Sequence, residues 1–265
     1  MNNKNKIINK NPYDNIQTFI KKNEYINEKP LIVVKDLKHS FKEKHNEKLI
    51  YQNVNFEIFE NERLAFLGPN GSGKSLTVAT IIGIIKPKKG KIEYKYKFNH
   101  NPYEKISVQF QDLQFPNSLT PLDLIKFTIK LNGINEKDNE LLNALEIFEI
   151  EKIKNTKMSK LSGGQQQRVN VFLSMLSKPK ILFLDEFTTG LDIAIKYKLQ
   201  NYILEYCKKH KITLVIVSHD IDCIEEMTDR IIILANKKIY VDAYAKDIIQ
   251  QFGSVKQMLK KYILA

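Results

Sequence analysis

The sequence predicts an α/β fold: a mainly parallel sheet with flanking helices, an N-terminal antiparallel β region and a helical subdomain. Three observations predict it. The last third alternates helical and extended patterns, at 165–177, 181–184, 193–210, 213–217, 221–227 and 231–234, the order that builds parallel strands covered by helices. Residues 64–67 form a short apolar run that enters a glycine-rich turn and then a helical pattern. From Leu122 to Met158 the apolar spacing is that of helices, with faces marked by Leu122, Ile125 and Ile129, then Leu141, Leu145 and Phe148.

Taken in order, residues 31–34 read as a strand, and the charged stretch 42–48 reads as a solvated turn before a second extended segment. Val54, Phe56 and Ile58 alternate with Asn55 and Glu57, the period of a strand with one buried face. A helix is expected over 74–85, stopped by Pro87 and Gly90. Ile92, Tyr94 and Tyr96 alternate again, and 106–110 is a strand candidate ending at Gln111. The expected organisation is a polar arm, 1–30, followed by one domain, 31–265, whose helical subdomain spans about 112–165.

At 265 residues and 43% hydrophobic, the chain can bury one large core. The 42 Lys+Arg against 30 Asp+Glu give a formal charge of +12, but the excess is spread along the chain rather than gathered into a stripe, so no specific nucleic-acid partner is expected. Cys207 and Cys223 have no framework or metal-ligand spacing, which points to reduced thiols. The arm lacks the apolar stretch of a signal peptide. The longest apolar runs, such as 81–85 and 231–235, fall far short of the roughly 20 residues that cross a bilayer.

Gly68, Pro69, Asn70, Gly71, Ser72, Gly73, Lys74 and Ser75 fit G-x-x-x-x-G-K-[ST] between a predicted strand and a predicted helix. Glycines allow backbone N–H groups to turn inward around phosphates, and the helix that follows directs its positive end at them. Lys74 would neutralise the β and γ phosphates and the Ser75 hydroxyl would ligate Mg²⁺. The loop alone does not say what the nucleotide energy is for, because many kinds of enzyme use it.

Asp185 and Glu186 follow the apolar run 181–184, which places two carboxylates at the carboxyl end of a buried strand. Asp185 would hold the Mg²⁺ shell and Glu186 would polarise the attacking water. Ser162, Gly163, Gly164 and Gln165 open a helix, with Ser162 as its N-cap and the glycines leaving backbone N–H groups open to an anion.

The run LSGGQQQR at 161–168, shortly before ILFLDE and well after GPNGSGKS, resembles the signature of ABC ATPases. The resemblance spans roughly 31–265 and implies a P-loop NTPase of ABC type that binds and hydrolyses ATP with Mg²⁺. Gln111 falls at the family's Q-loop glutamine, which reaches Mg²⁺ and the attacking water; Leu191 and Asp192 resemble the D-loop. His219 resembles the switch histidine that touches the γ-phosphate, and Phe41 the aromatic that stacks on adenine. In the family two such domains meet head to tail, so Ser162, Gly163, Gly164 and Gln165 of one would clasp the nucleotide held by Lys74 of the other.

The resemblance implies a second ATPase subunit, identical or related, and an integral membrane permease at whose cytoplasmic face the chain sits as a peripheral subunit. A soluble ABC ATPase of the iron-sulfur cluster assembly type is the alternative. Segments 119–122 and 130–134, and the ending 251–254 with 258–259, resemble two-component export ATPases. Importer ATPases often carry a further C-terminal domain for which the chain leaves no room, so export is expected over import. Two features depart from the family: Phe187 stands where proline is usual, which is expected to loosen the turn after Glu186, and the arm 1–30 has no counterpart.

Overall fold

The computed structural model describes residues 29–43, 46–111, 115–135 and 139–262; most of the polar arm therefore lies outside the described residues. Two sheets form. Strands β1 (Pro30–Glu43), β2 (Asn46–Phe59) and β4 (Lys89–Tyr94) make an antiparallel sheet in the order β2-β1-β4. The second sheet has six strands in the order β5-β6-β7-β3-β8-β9. In it β3 (Arg63–Leu67), β5 (Ile106–Gln109), β6 (Ile181–Asp185), β7 (Thr213–Val217) and β8 (Arg230–Ala235) run parallel, and β9 (Lys238–Tyr244) closes the edge antiparallel to β8.

The parallel strands are apolar on both faces because both are covered. Leu64, Phe66, Ile181, Phe183, Val215, Val217, Ile232 and Leu234 point to a core shared with the antiparallel sheet and with α1 (Lys74–Ile81). Their alternates, Ala65, Leu67, Leu182, Leu184, Leu214, Ile216, Ile231 and Ile233, face a second core lined by the remaining helices. Those helices are α2 (Pro121–Asn132), α3 (Asn139–Ile147), α4 (Gly163–Leu176), α5 (Ile193–His210), α6 (Ile221–Met227), α7 (Ala245–Phe252) and α8 (Val255–Tyr262).

Local chemistry sets the helix ends. Thr120 and Asp123 form a reciprocal capping box ahead of α2, and Gly133 ends it at φ 62°. Asp192 caps α5 through the Ile195 amide at 2.9 Å, and Asp220 caps α6 through the Cys223 amide at 3.2 Å.

Three boundaries differ most from the sequence expectation. Helix α1 ends at Ile81 rather than at 85, because Gly83 takes the left-handed conformation (φ 79°) under the Tyr103 ring and the Ile84 and Ile85 amides both turn back to Ala79. The stretch expected as a solvated turn continues both strands: Phe41 pairs with Lys48 and Lys42 with Glu47, and only 44–45 fall outside the described residues. Strand β4 stops at Tyr94, although Tyr96 beyond it is buried with its hydroxyl donating to the Pro102 carbonyl (2.9 Å).

Candidate functional site

Strand order builds the site. β5, β6, β7 and β3 are neighbours in the sheet, and each carboxyl end releases its chain at one edge, where parallel α/β sheets bind ligands. β3 leads into the glycine-rich loop, β5 into Gln111, β6 into Asp185 and Glu186, and β7 into Ser218 and His219. The result is an open cleft of about 560 Å³ lined by Phe41, Asn70, Gly71, Gly73, Lys74, Ser75, Gln111, Asp185, Glu186 and His219, together with Ile50, Leu76 and Val217.

Backbone geometry in the loop depends on glycine. Gly68 (φ 144°) lies so close to the Leu234 carbonyl oxygen that a Cβ would approach it to 2.1 Å, and a Cβ on Gly73 (φ 100°) would meet the Tyr51 ring at 2.6 Å. Gly73 precedes α1 with no side-chain cap and no acidic residue in the first turn, so the helix presents its open N–H groups and positive end to the cleft. Lys74, 7% exposed, donates from Nζ to the carbonyls of Gly68 (2.7 Å) and Pro69 (3.3 Å). Burial lowers its pKa below the ordinary lysine value, and the nearby Glu186 and Asp185 carboxylates oppose that shift. Pro69 and Ser72 complete the loop, the Ser72 amide donating to the Pro69 carbonyl at 3.2 Å.

Opposite the loop, Glu186 sits at φ 50°, an uncommon conformation for a side chain of its size. Several bonds hold it there. Its amide donates to the Val217 carbonyl (2.8 Å), and its own carbonyl accepts from Thr189 N–H (3.1 Å) and from Gln167 Nε2 (3.2 Å). Its carboxylate accepts from Ser218 Oγ (3.2 Å) and lies 3.7 Å from His219 Nε2. The expectation that Phe187 loosens this turn is not met: Phe187 is fully buried in the helix-lined core and anchors the segment.

Four residues that the sequence reading did not single out position the site. Gln109, fully buried, accepts from the Asp185 amide (3.1 Å) and donates to the Phe110 carbonyl (2.8 Å), and Asn170 donates to the same carbonyl (3.0 Å). Together they fix the β5 end that carries Gln111 relative to β6 and α4. Gln109 had a readable signal, a polar side chain inside an apolar strand. Gln167 lies within the LSGGQQQR run and Ser218 beside His219, but only the folded backbone shows what either of them reaches.

The structure does not bring Ser162, Gly163, Gly164 and Gln165 to the cleft. Ser162 accepts from the Gln165 amide (3.3 Å) while Gln165 Oε1 accepts from the Ser162 amide (2.9 Å), a capping box that starts α4. Ser162 and Gly163 are exposed. Gly164 packs on the Gly190 carbonyl so closely that a Cβ would come within 2.4 Å of its oxygen. Within one chain this helix start and the phosphate loop are separate surfaces.

Over residues 51–189, more than half its length, the chain matches the family described as ABC transporter. It is 30% identical to the spermidine/putrescine import ATP-binding protein of Mannheimia succiniciproducens over 85% of this chain and 61% of that one, so it spans about 61% of that relative's length. It is 33% identical to the zinc import ATP-binding protein of Buchnera aphidicola over 72% of this chain and 76% of that one. Among solved structures it resembles a dimeric ATP-binding cassette in a post-hydrolysis state bound to ADP and Pi, with 26% identity, a TM-score of 0.70, and coverage of 80% of this chain and 98% of that one. Both relatives are named for import, so the expectation of export finds no support among them.

Proposed function

The chain belongs to the ABC transporter family of ATP-binding proteins, and on that premise we propose that it binds and hydrolyses ATP as the energy-coupling subunit of a membrane transporter. The observation that carries the reading is the cleft, in which a phosphate loop with a buried lysine faces an acidic pair and a histidine from adjacent strand ends. In this reading Lys74 and the open N–H groups of α1 hold the β and γ phosphates, and Phe41, half exposed at the cleft mouth, stacks on the base. Ser75, Asp185 and Gln111 offer the oxygen donors that suit Mg²⁺. Bound there, Mg²⁺ would neutralise charge on the phosphate oxygens.

Glu186 is the general base that orients and polarises the attacking water, and Ser218 holds one of its carboxylate oxygens. His219, close to the other oxygen, completes the wall on the γ-phosphate side. The capped start of α4 is exposed and does not line its own cleft, which suits a second copy or a related chain that supplies it across an interface. Two sites would then form only when two chains close on nucleotide, and hydrolysis would release them.

Among the described residues no helix is long and apolar enough to cross a membrane. In this reading coupling to transport runs through a separate permease, with this chain at its cytoplasmic face, as the relatives' names as transporter ATP-binding proteins suggest. The relatives' names favour import as the direction of transport. The test is size-exclusion chromatography with light scattering on the Glu186→Gln variant, with and without Mg-ATP. A shift from monomer to dimer on adding nucleotide is expected; a strict monomer at saturating ATP would overturn the paired-site reading.

A further inference from the structure

Below the cleft floor a continuous set of polar contacts runs from the Glu186 carboxylate to the first turn of α5. Ser218 is fully buried, and its hydroxyl has one proton. The Asp220 amide donates to Ser218 Oγ at 3.1 Å, and Ser218 Oγ donates to Glu186 Oε2 at 3.2 Å, so the direction of both bonds is fixed. The Asp220 carboxylate is engaged on both oxygens. Oδ1 accepts the Cys223 amide (3.2 Å), and Oδ2 accepts Thr188 Oγ1 (3.3 Å) and lies 2.5 Å from Lys196 Nζ. The Lys196 side chain is only 18% exposed, and its backbone amide bonds to the carbonyl of Asp192, the residue that caps α5.

We infer that Asp220 is a positioning residue for the hydrolysis proposed above: through Ser218 it fixes the Glu186 carboxylate, and through Thr188 and Lys196 it ties that carboxylate to the segment 188–196. The inference rests on the ATPase reading and deepens it. Thr188 and Gly190 lie on one stretch of chain, and the Gly190 carbonyl is the seat of Gly164 at the start of α4. A displacement of α4 or of the α5 start is therefore transmitted to the water-activating carboxylate through three side chains, Thr188 or Lys196, Asp220 and Ser218, and the Asp220 backbone amide. Physically, the ion pair makes the coupling stiff, because a partly buried charged hydrogen bond resists stretching more than a neutral one.

Steady-state ATPase kinetics and nucleotide affinity are measured on wild type, Lys196→Gln, Lys196→Arg, Ser218→Ala and the Lys196→Gln/Ser218→Ala double variant. Thermal unfolding and nucleotide affinity check that each protein is folded. Lys196→Gln and Ser218→Ala are expected to lower kcat about tenfold with KM for ATP within about twofold of wild type, the pattern of a group that acts on catalytic geometry rather than on binding. Lys196→Arg should restore most of kcat, and the double variant should lose little more than either single one, because both cut the same connection. Unchanged kcat in Lys196→Gln, or losses that multiply in the double variant, would overturn the inference while leaving the ATPase reading in place. A folded wild type that binds nucleotide but never hydrolyses it would overturn both.

Discussion

Nε2 of His219 lies 3.7 Å from Oε1 of Glu186, across the ends of β7 and β6, where Asp185 is in register with Val217. The two side chains share the cleft wall but differ in depth: the Glu186 side chain is 13% exposed and that of His219 is 54% exposed. A histidine so exposed contributes little to the core, which allows its role to be tested without disturbing the fold.

His219→Ala is expected to lower the ATP turnover rate about a hundredfold, in the range found when a positioned polar group is removed from a reacting centre. The melting temperature should stay within about 2 °C of wild type, as for a surface substitution. A coupled-enzyme phosphate assay and a thermal melt check both; equal turnover would exclude His219 from the reaction.

Gly164→Ala places a methyl group 2.4 Å from the Gly190 carbonyl oxygen, so either α4 or the segment after Thr189 must move. Nucleotide affinity of the isolated chain should be retained, because Gly164 lies outside the cleft. ATP-dependent dimerisation and turnover should both fall about tenfold or more, since a misplacement of 1 Å is enough for such losses. Fluorescent-nucleotide titration beside light scattering separates the two, and a parallel loss of affinity would contradict the assignment.

Phe187→Ala removes a fully buried ring from the helix-lined core directly beside Glu186. The expected cost is about 3–5 kcal/mol of unfolding free energy, measured by urea denaturation. A change below about 1 kcal/mol would show that the ring does not anchor the turn.

Glu140 on α3 carries a pH dependence. Burial raises its pKa, but hydrogen bonds from Lys209, His210 and Lys178 outweigh that and hold the carboxyl down to about 2, against an ordinary value near 4.5. A depressed carboxylate stabilises the fold above its unfolded-state value and loses that stabilisation as the pH falls through its folded-state value. The stability difference between wild type and Glu140→Gln should therefore be full at pH 6, about 1 kcal/mol after solvent screening, and should shrink between about pH 4.5 and 2. Urea unfolding at pH 6 and pH 3 checks the sign; a gap that widens in acid would refute it.

Much of this molecule was legible locally. The bounds of α5, β7 and α6 match the segments that the apolar pattern predicts, and the phosphate loop follows from its glycines and Lys74. β9, α7 and α8 carry no sequence-based expectation. The left-handed Gly83 stops the helix ahead of the more conspicuous Pro87 and Gly90.

By itself the sequence determined which residue types could hold phosphate, metal and water, because a glycine-rich turn, a capped helix start and a strand ending in acids are fixed by neighbours a few positions away. Which of these groups meet depends on how the chain folds in three dimensions. The order β5-β6-β7-β3 is not the order of the chain, and it alone sets Gln111, Asp185, Glu186 and His219 around the loop at Lys74 while leaving Ser162 and Gly163 on a separate surface. Pairing between strands far apart in sequence is a long-range choice, made by burying both faces of the sheet at once, and no local pattern encodes it.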